Sequence, residues 1–219
     1  MATPYFQLRL ERVPSTQDVA RERLAELPLL VMAGEQSEGR GRSGAGWMTA
    51  DRALAASLAW RHDDGDHRPL SLMAGVAAVR SIPESTLKWP NDVLVSGGKA
   101  GGILVERSAG VTVVGLGLNL WWREPRDGMS SLYRSDPGPH AHLEVGALWG
   151  AHLMELLAAD GWPVEEYRAV CSTIGENIVW EPQGEGVAVG VDDDGALLVE
   201  TSGTIEAIHS GAVRHVRPA

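Results

Sequence analysis

From Thr86 to Leu120 the chain reads as β structure with scarcely a break. Thr86–Trp89, Val93–Val95, Gly102–Arg107 and Val111–Leu120 are apolar stretches separated by Ser-Gly-Gly and Ser-Ala-Gly turn signals. Strands joined by such short turns pair antiparallel, so whatever fold this chain adopts is organised around a sheet. Upstream, Phe6, Leu8 and Leu10 alternate with polar residues as far as Val13-Pro14, the two-residue period of a half-buried strand. Ser15-Thr16-Gln17-Asp18 matches a capping box and predicts a helix through about Leu27. Leu29–Ala33 and Leu54–Trp60 predict two further strands. Leu70, Met73, Val76, Ala77 and Arg80 fall at helical spacing behind Pro69, and two more helices are predicted over about 143–159 and 163–172.

Beyond Ile174 the pattern changes. Ile178–Glu181, Val187–Val191, Leu197–Glu200, Ile205–Ile208 and Val213–Val216 are short strands divided by Gln-Gly, Asp-Gly and Ser-Gly turns. They predict a small β-barrel module of roughly 45 residues, too small to be very stable alone and therefore packed on the main body. The expected division is 1–173 for the main domain and 174–219 for this module, in an α/β (α+β) chain.

Charge and composition narrow the function. A net charge of −10 and a pI near 5.1 argue against a general nucleic-acid binder, which needs a basic face, although a local basic loop stays possible. One cysteine, Cys171, excludes an intramolecular disulfide and a cysteine-rich zinc site; a small buried hydrophobe is the favoured reading for it. The N-terminus lacks a basic segment followed by an apolar one, and no run of about 18 apolar residues occurs. A soluble, cytoplasmic protein without a membrane partner is expected.

Four segments carry candidate chemistry. Gly39-Arg40-Gly41-Arg42-Ser43-Gly44-Ala45-Gly46-Trp47 combines glycines for close backbone approach, two guanidinium forks suited to carboxylate or phosphate, and a flat apolar ring. No Lys-Ser/Thr follows Gly44, so this is not a P-loop; a solvated loop is the competing reading, weakened by the segment's length. Lys88-Trp89-Pro90-Asn91-Asp92 reads equally as an Asx turn. Gly97–Gly102 is a glycine-rich hairpin around Lys99. In Gly115-Leu116-Gly117-Leu118-Asn119, alternating glycines mark close approach of a ligand or another backbone. None decides the matter singly; their order along the chain does.

In that order they resemble the biotin–protein ligases over nearly the whole chain. Ser15-Thr16-Gln17 stands where the family has Ser-Thr-Asn, Gln36 precedes the loop, Gly39–Arg42 matches the biotin-binding loop ending at Trp47, and Lys88–Asp92 is the family's Lys-Trp-Pro-Asn-Asp verbatim. Lys99–Glu106 and Gly115–Asn119 complete the set. The resemblance implies a mixed-sheet biotin/lipoate ligase-like catalytic domain with a C-terminal SH3-like barrel. It implies an ATP-dependent reaction in two steps: biotin is activated as biotinyl-5′-AMP, then transferred to a lysine of the biotin carboxyl carrier protein of acyl-CoA carboxylases.

The residues implied are Lys99 and Arg40 as catalytic groups. Ser15, Thr16, Gln17, Gln36, Arg40, Gly41, Arg42, Lys99, Gly102 and Gly115 are implied for biotin, and Arg42, Trp47, Asn91 and Asn119 for ATP and the adenylate. Two anions meet in the first step, so fixed positive charge must offset their repulsion. Ser15 has a competing duty as helix N-cap. Mg²⁺ is expected with the triphosphate, its protein ligands unassigned.

Departures from the pattern are Gln17 for Asn, a longer amide of the same hydrogen-bonding type, and Ser43 and Ala45 where relatives often carry further arginines. Fewer loop cations suggest weaker adenylate retention or more reliance on Trp47. Glycines and like charges also give the loop little reason to order before a ligand arrives. Only fourteen residues precede Ser15, leaving no room for a winged-helix DNA-binding domain, so a repressor role is not expected. Lipoate ligase or octanoyltransferase activity, and non-catalytic biotin or adenylate binding, are the other readings; monomer and homodimer both remain open.

Overall fold

The computed structural model describes residues 4–44, 46–62, 66–124, 126–180, 184–209, 211 and 213–215. Strand β1 (Phe6–Val13), helix α1 (Thr16–Arg23) and strand β2 (Leu29–Gln36) form a crossover unit with β1 and β2 parallel. Helix α1 ends at Arg23 rather than at Leu27. Leu24 is already extended, with ψ 123°, and Pro28 bars the helical region to Leu27. Strand β3 (Arg52–Arg61) returns antiparallel to β2, and helix α2 (Leu70–Ser81) crosses one face.

The meander predicted from Thr86 onward follows as β4 (Ser85–Lys88), β5 (Asp92–Val95), β6 (Gly98–Ser108) and β7 (Val111–Trp121). Its turns at Ser96-Gly97 and Ala109-Gly110 hold both central residues at positive φ, as type I′ hairpins require. Strand β6 starts at Gly98, not Gly102, which moves Lys99 out of the turn and onto a strand. The seven strands pair in the order β1-β2-β3-β7-β6-β5-β4, a mixed sheet.

Helices α3 (Ala141–Ala158) and α4 (Val164–Val170) complete the main body, with Cys171 capping α4 and buried rather than inside the helix. Strands β2 and β3 are apolar almost throughout because both sheet faces are covered. Leu30, Met32, Leu54 and Leu58 pack beneath α2 and α3 with Met73, Val76, Trp149 and Leu153. Val31, Ala59 and Val113 pack on the opposite face with Ala20 of α1. Close approach of α3 relies on two small residues one turn apart: a Cβ at Gly146 would lie 2.8 Å from Met32 Sδ, and one at Gly150 would lie 2.5 Å from Leu30 Cδ2.

Strands β8 (Asn177–Trp180), β9 (Gly184–Val191), β10 (Leu197–Thr201), β11 (Thr204–Ile208) and β12 (Val213–His215) form an antiparallel SH3-like sheet in the order β11-β10-β9-β8-β12. Its inner residues Ile178, Ala188, Leu197 and Val199 join the same apolar cluster as the main body. Trp89 of the main body reaches across: its indole N–H donates to the Gly195 carbonyl at 3.0 Å, while its backbone N–H donates to Thr173 Oγ1, also at 3.0 Å, at the junction. The predicted strand ends Glu181 and Val216, Gln183 of one predicted turn, and Ala45 of the glycine-rich loop lie outside the described residues. Among the described residues, no helix is long and apolar enough to cross a membrane.

Candidate active site

The alternating glycines of β7 face the side of the sheet that carries α1, and apart from Leu104 the residues they line up with on the neighbouring strands are small. Ala55, Gly117 and Gly102 form one row across β3, β7 and β6; Ser57, Gly115 and Leu104 form the next. This nearly side-chain-free shelf is the floor of a cavity of about 580 Å³. The size suits a small organic ligand. Trp47 lies over the first row, where a Cβ at Gly117 would come within 2.9 Å of the indole and one at Gly102 within 3.2 Å. Gln17 covers the second, with its amide nitrogen donating to the Leu104 carbonyl at 3.2 Å and lying 3.2 Å from the Cβ position of Gly115.

The α1 end of the cavity is a buried polar network. Gln36 Oε1 accepts from both the Thr16 backbone N–H (2.7 Å) and the Thr16 hydroxyl (3.0 Å), and the Thr16 and Ser57 hydroxyls are 2.8 Å apart. Ser15 is buried and serves as N-cap, its hydroxyl accepting from the Asp18 N–H at 3.4 Å. That distance is long for a cap. Gln17 Oε1 is buried with no hydrogen-bond partner among the described residues.

The opposite wall carries the charge. The β5–β6 pairing shifts register between Val93 and Leu94, and Lys99 Nζ donates to Asp92 Oδ1 at 2.5 Å. The Lys99 backbone is pinned on its other edge as well, its N–H to the Gly128 carbonyl and its carbonyl to the Ser130 N–H. Arg42 donates to Asn91 Oδ1 (3.0 Å) and to the Gly211 carbonyl (3.2 Å), while the Asn91 amide donates to the Ile103 carbonyl. Gly211 and Val213 reach the cavity from the SH3-like module.

The glycine-rich loop is tied at both ends. Its two ends pair, Arg40 with Gly46, and the Trp47 N–H donates to the Gly39 carbonyl. Each of its cations also has a partner elsewhere in the chain, which a reading of the loop alone did not weigh. Arg40, expected as a catalytic group, is paired within the chain. Its guanidinium grips Asp18 with two hydrogen bonds, 2.8 and 2.6 Å, and stands 3.7 Å from Glu106. The Arg40 guanidinium holds the Asp18 carboxyl below its ordinary range, against the opposing effect of partial burial, and Asp18 in turn raises Arg40.

Of the thirteen candidates, Ser15, Thr16, Gln17, Gln36, Arg40, Gly41, Arg42, Trp47, Asn91, Lys99, Gly102 and Gly115 line this one cavity. Asn119 does not. It lies two pairs beyond Gly117, opposite Ala53 on β3, fully buried, and its carboxamide has no hydrogen-bond partner among the described residues. Sequence reasoning gave no role to Ser57, Asp92, Gly211 or Val213. A lone hydroxyl inside the apolar Leu54–Trp60 run was the available signal for Ser57; nothing local marks the module's contribution.

Comparison with known proteins agrees with this geometry. The family model described as the biotin/lipoate A/B protein ligase family matches residues 10–120, and that of the biotin protein ligase C-terminal domain matches residues 181–216. A biotin–[acetyl-CoA-carboxylase] ligase of Mycobacterium tuberculosis is 33% identical, aligned over 86% of this chain and 79% of its own. Another from Paracoccus denitrificans is 31% identical over 77% and 82%. Among solved structures, the biotin protein ligase from Aquifex aeolicus in complex with biotin and ATP superposes with a TM-score of 0.78 at 26% identity, covering 96% of this chain and 99% of that one.

Proposed function

The chain belongs to the biotin/lipoate A/B protein ligase family, and from that premise we propose how its residues divide the work. The enzyme is an ATP-dependent ligase that activates biotin and transfers it to a carboxylase. The observation that carries the assignment of residues is the shelf of Ala55, Gly117 and Gly102 lying between a neutral polar end and a cationic wall.

Biotin lies in this cavity, alongside the Trp47 indole that rests on Gly117 and Gly102. Its ureido ring meets the Thr16–Gln36–Ser57 network and the unpartnered Gln17 Oε1, an acceptor suited to a ligand N–H. Its carboxylate points toward Lys99. An oxygen of that carboxylate attacks the α-phosphorus of ATP, the Pα–O bond to the β-phosphate breaks, and pyrophosphate leaves with biotinyl-5′-AMP formed. Lys99 stands between the two anions, and Arg42 adds charge held in place by Asn91. Donors fixed beforehand need no reorganisation when charge develops on the phosphate.

The nucleotide's base is assigned to the neighbourhood of Asn119, whose buried carboxamide has a donor and an acceptor without partners among the described residues. In the second step the ε-amine of a biotin carboxyl carrier lysine attacks the anhydride carbonyl carbon, loses a proton, and displaces AMP. Mg²⁺ accompanies the triphosphate. Among the described residues no group of three or more His, Cys, Asp or Glu gathers to hold a metal. The catalytic unit is assigned to residues 1–173 and the SH3-like module to 174–219, with Gly211 and Val213 contributing to the active-site wall.

Incubation with biotin, ATP, Mg²⁺ and a biotin carrier domain should place label on the carrier lysine only when ATP is present. Absence of label, with the same carrier labelled by a known ligase, overturns this reading.

A further inference from the structure

Arg40 and Asp18 form a bidentate ion pair at the cavity, which Arg40 lines and Asp18 does not. The Arg40 fork meets both Asp18 oxygens, at 2.8 and 2.6 Å, a bidentate geometry stronger and more directional than a single contact. Glu106 on β6 lies 3.7 Å from the same guanidinium and is itself bonded by Arg21 of α1 at 3.0 Å. Arg21, Glu106, Arg40 and Asp18 thus alternate in sign across α1, β6 and the loop.

The consequence lies in what Arg40 is attached to. Arg40 pairs with Gly46, and the adjoining Trp47 N–H bonds the Gly39 carbonyl, so a tether on Arg40 fixes the strand-like ends of the loop and the indole beside them. That indole covers Gly117 and Gly102. Asp18 follows directly on Ser15, Thr16 and Gln17, three residues of the cavity wall. One helical turn therefore holds both the polar end of the cavity and the loop that roofs it.

We infer that Asp18 is a positioning residue, which with Glu106 holds the loop through Arg40 and so retains the adenylate until a carrier lysine arrives. This rests on the ligase reading above and assigns Arg40 to the loop rather than to the phosphates. Both side chains remain about two-fifths exposed, 38% for Arg40 and 44% for Asp18, so water competes and the effect is a few-fold one.

The test uses the full chain with biotinyl-5′-AMP formed on it, chased by unlabelled biotin and ATP while escape of the adenylate is followed. In Asp18→Asn, escape should rise roughly five-fold, and Asp18→Glu, which restores the charge, should recover more than half of the loss. Arg40→Lys keeps a cation but lacks the fork and should release adenylate faster as well. Escape within two-fold of wild type in Asp18→Asn overturns the inference, and so does an Asp18→Glu rate no slower than that of Asp18→Asn. If the Asn variant does not fold, Arg40→Lys decides alone: an unchanged escape rate then overturns the inference. A wild-type enzyme that forms no adenylate defeats the ligase reading instead, so the two failures are distinct.

Discussion

Lys99 Nζ and Asp92 Oδ1 meet at 2.5 Å across strands β6 and β5, and both side chains line the cavity. A lysine held by a carboxylate at the rim of the cavity keeps its direction before any ligand binds. Lys99→Ala should therefore slow adenylate formation by roughly 10²–10³-fold, the range for removing a preorganised donor at developing charge. Biotin affinity should change far less, because that charge appears only in the transition state. Pyrophosphate release at a near wild-type rate would remove Lys99 from this role.

Trp47 rests on glycine, and that contact can be broken without touching Trp47 itself. A Cβ at Gly117 would stand 2.9 Å from the indole and be flanked by fixed strands. Gly117→Ala should push the ring off the shelf and raise the Kd for biotin by roughly ten-fold, consistent with about 1–3 kcal/mol for forced overpacking. Calorimetric titration with biotin measures this, and an unchanged Kd would show that Trp47 does not roof the site.

Much of this was legible because the informative residues are unusual ones. Gly115, Gly117 and Gly102 announced a close approach before their shared row was known, and the run Lys88–Asp92 marked one wall. What stayed hidden depends on distance in sequence. Asp18 read as part of a helix cap; its partner Arg40 lies 22 residues on, in a loop whose own composition predicted no order. Ser57 was concealed in an apolar strand, and Gly211 reaches the cavity from a module 169 residues beyond the Arg42 it contacts. The end of α1 was misjudged for a local reason, the restriction Pro28 places on Leu27.

Gln36 should matter for stability as well as binding. Its Oε1 is the acceptor for two Thr16 donors, and Thr16 is 2% exposed. Gln36→Met keeps the bulk but orphans the Thr16 N–H, with an expected loss of about 1–3 kcal/mol for an unsatisfied buried donor. Urea unfolding without ligand checks this, and a loss below about 0.5 kcal/mol would mean that another group takes over the bond.

Acid should destabilise the protein in two stages. His142, buried at the start of α3 with its ring 3.3 Å from the Cβ position of Gly34, has its pKa lowered below 6.5 chiefly by burial. A lowered folded value means that the unfolded chain binds the proton more readily, so this contribution is whole above pH 6.5 and is lost as pH falls through the folded value. The Asp18, Asp66 and Glu166 carboxyls are lowered by Arg40, Arg68 and Arg80 respectively, from ordinary values of 3.8, 3.8 and 4.5. Their contribution is present above those values and disappears only in stronger acid. Chemical denaturation from pH 8 to 3 should thus show an early decline below about pH 6.5 and a later one below about 4.5. In His142→Gln the early decline should vanish while the later one stays. An early decline that survives in that variant would assign it to another group.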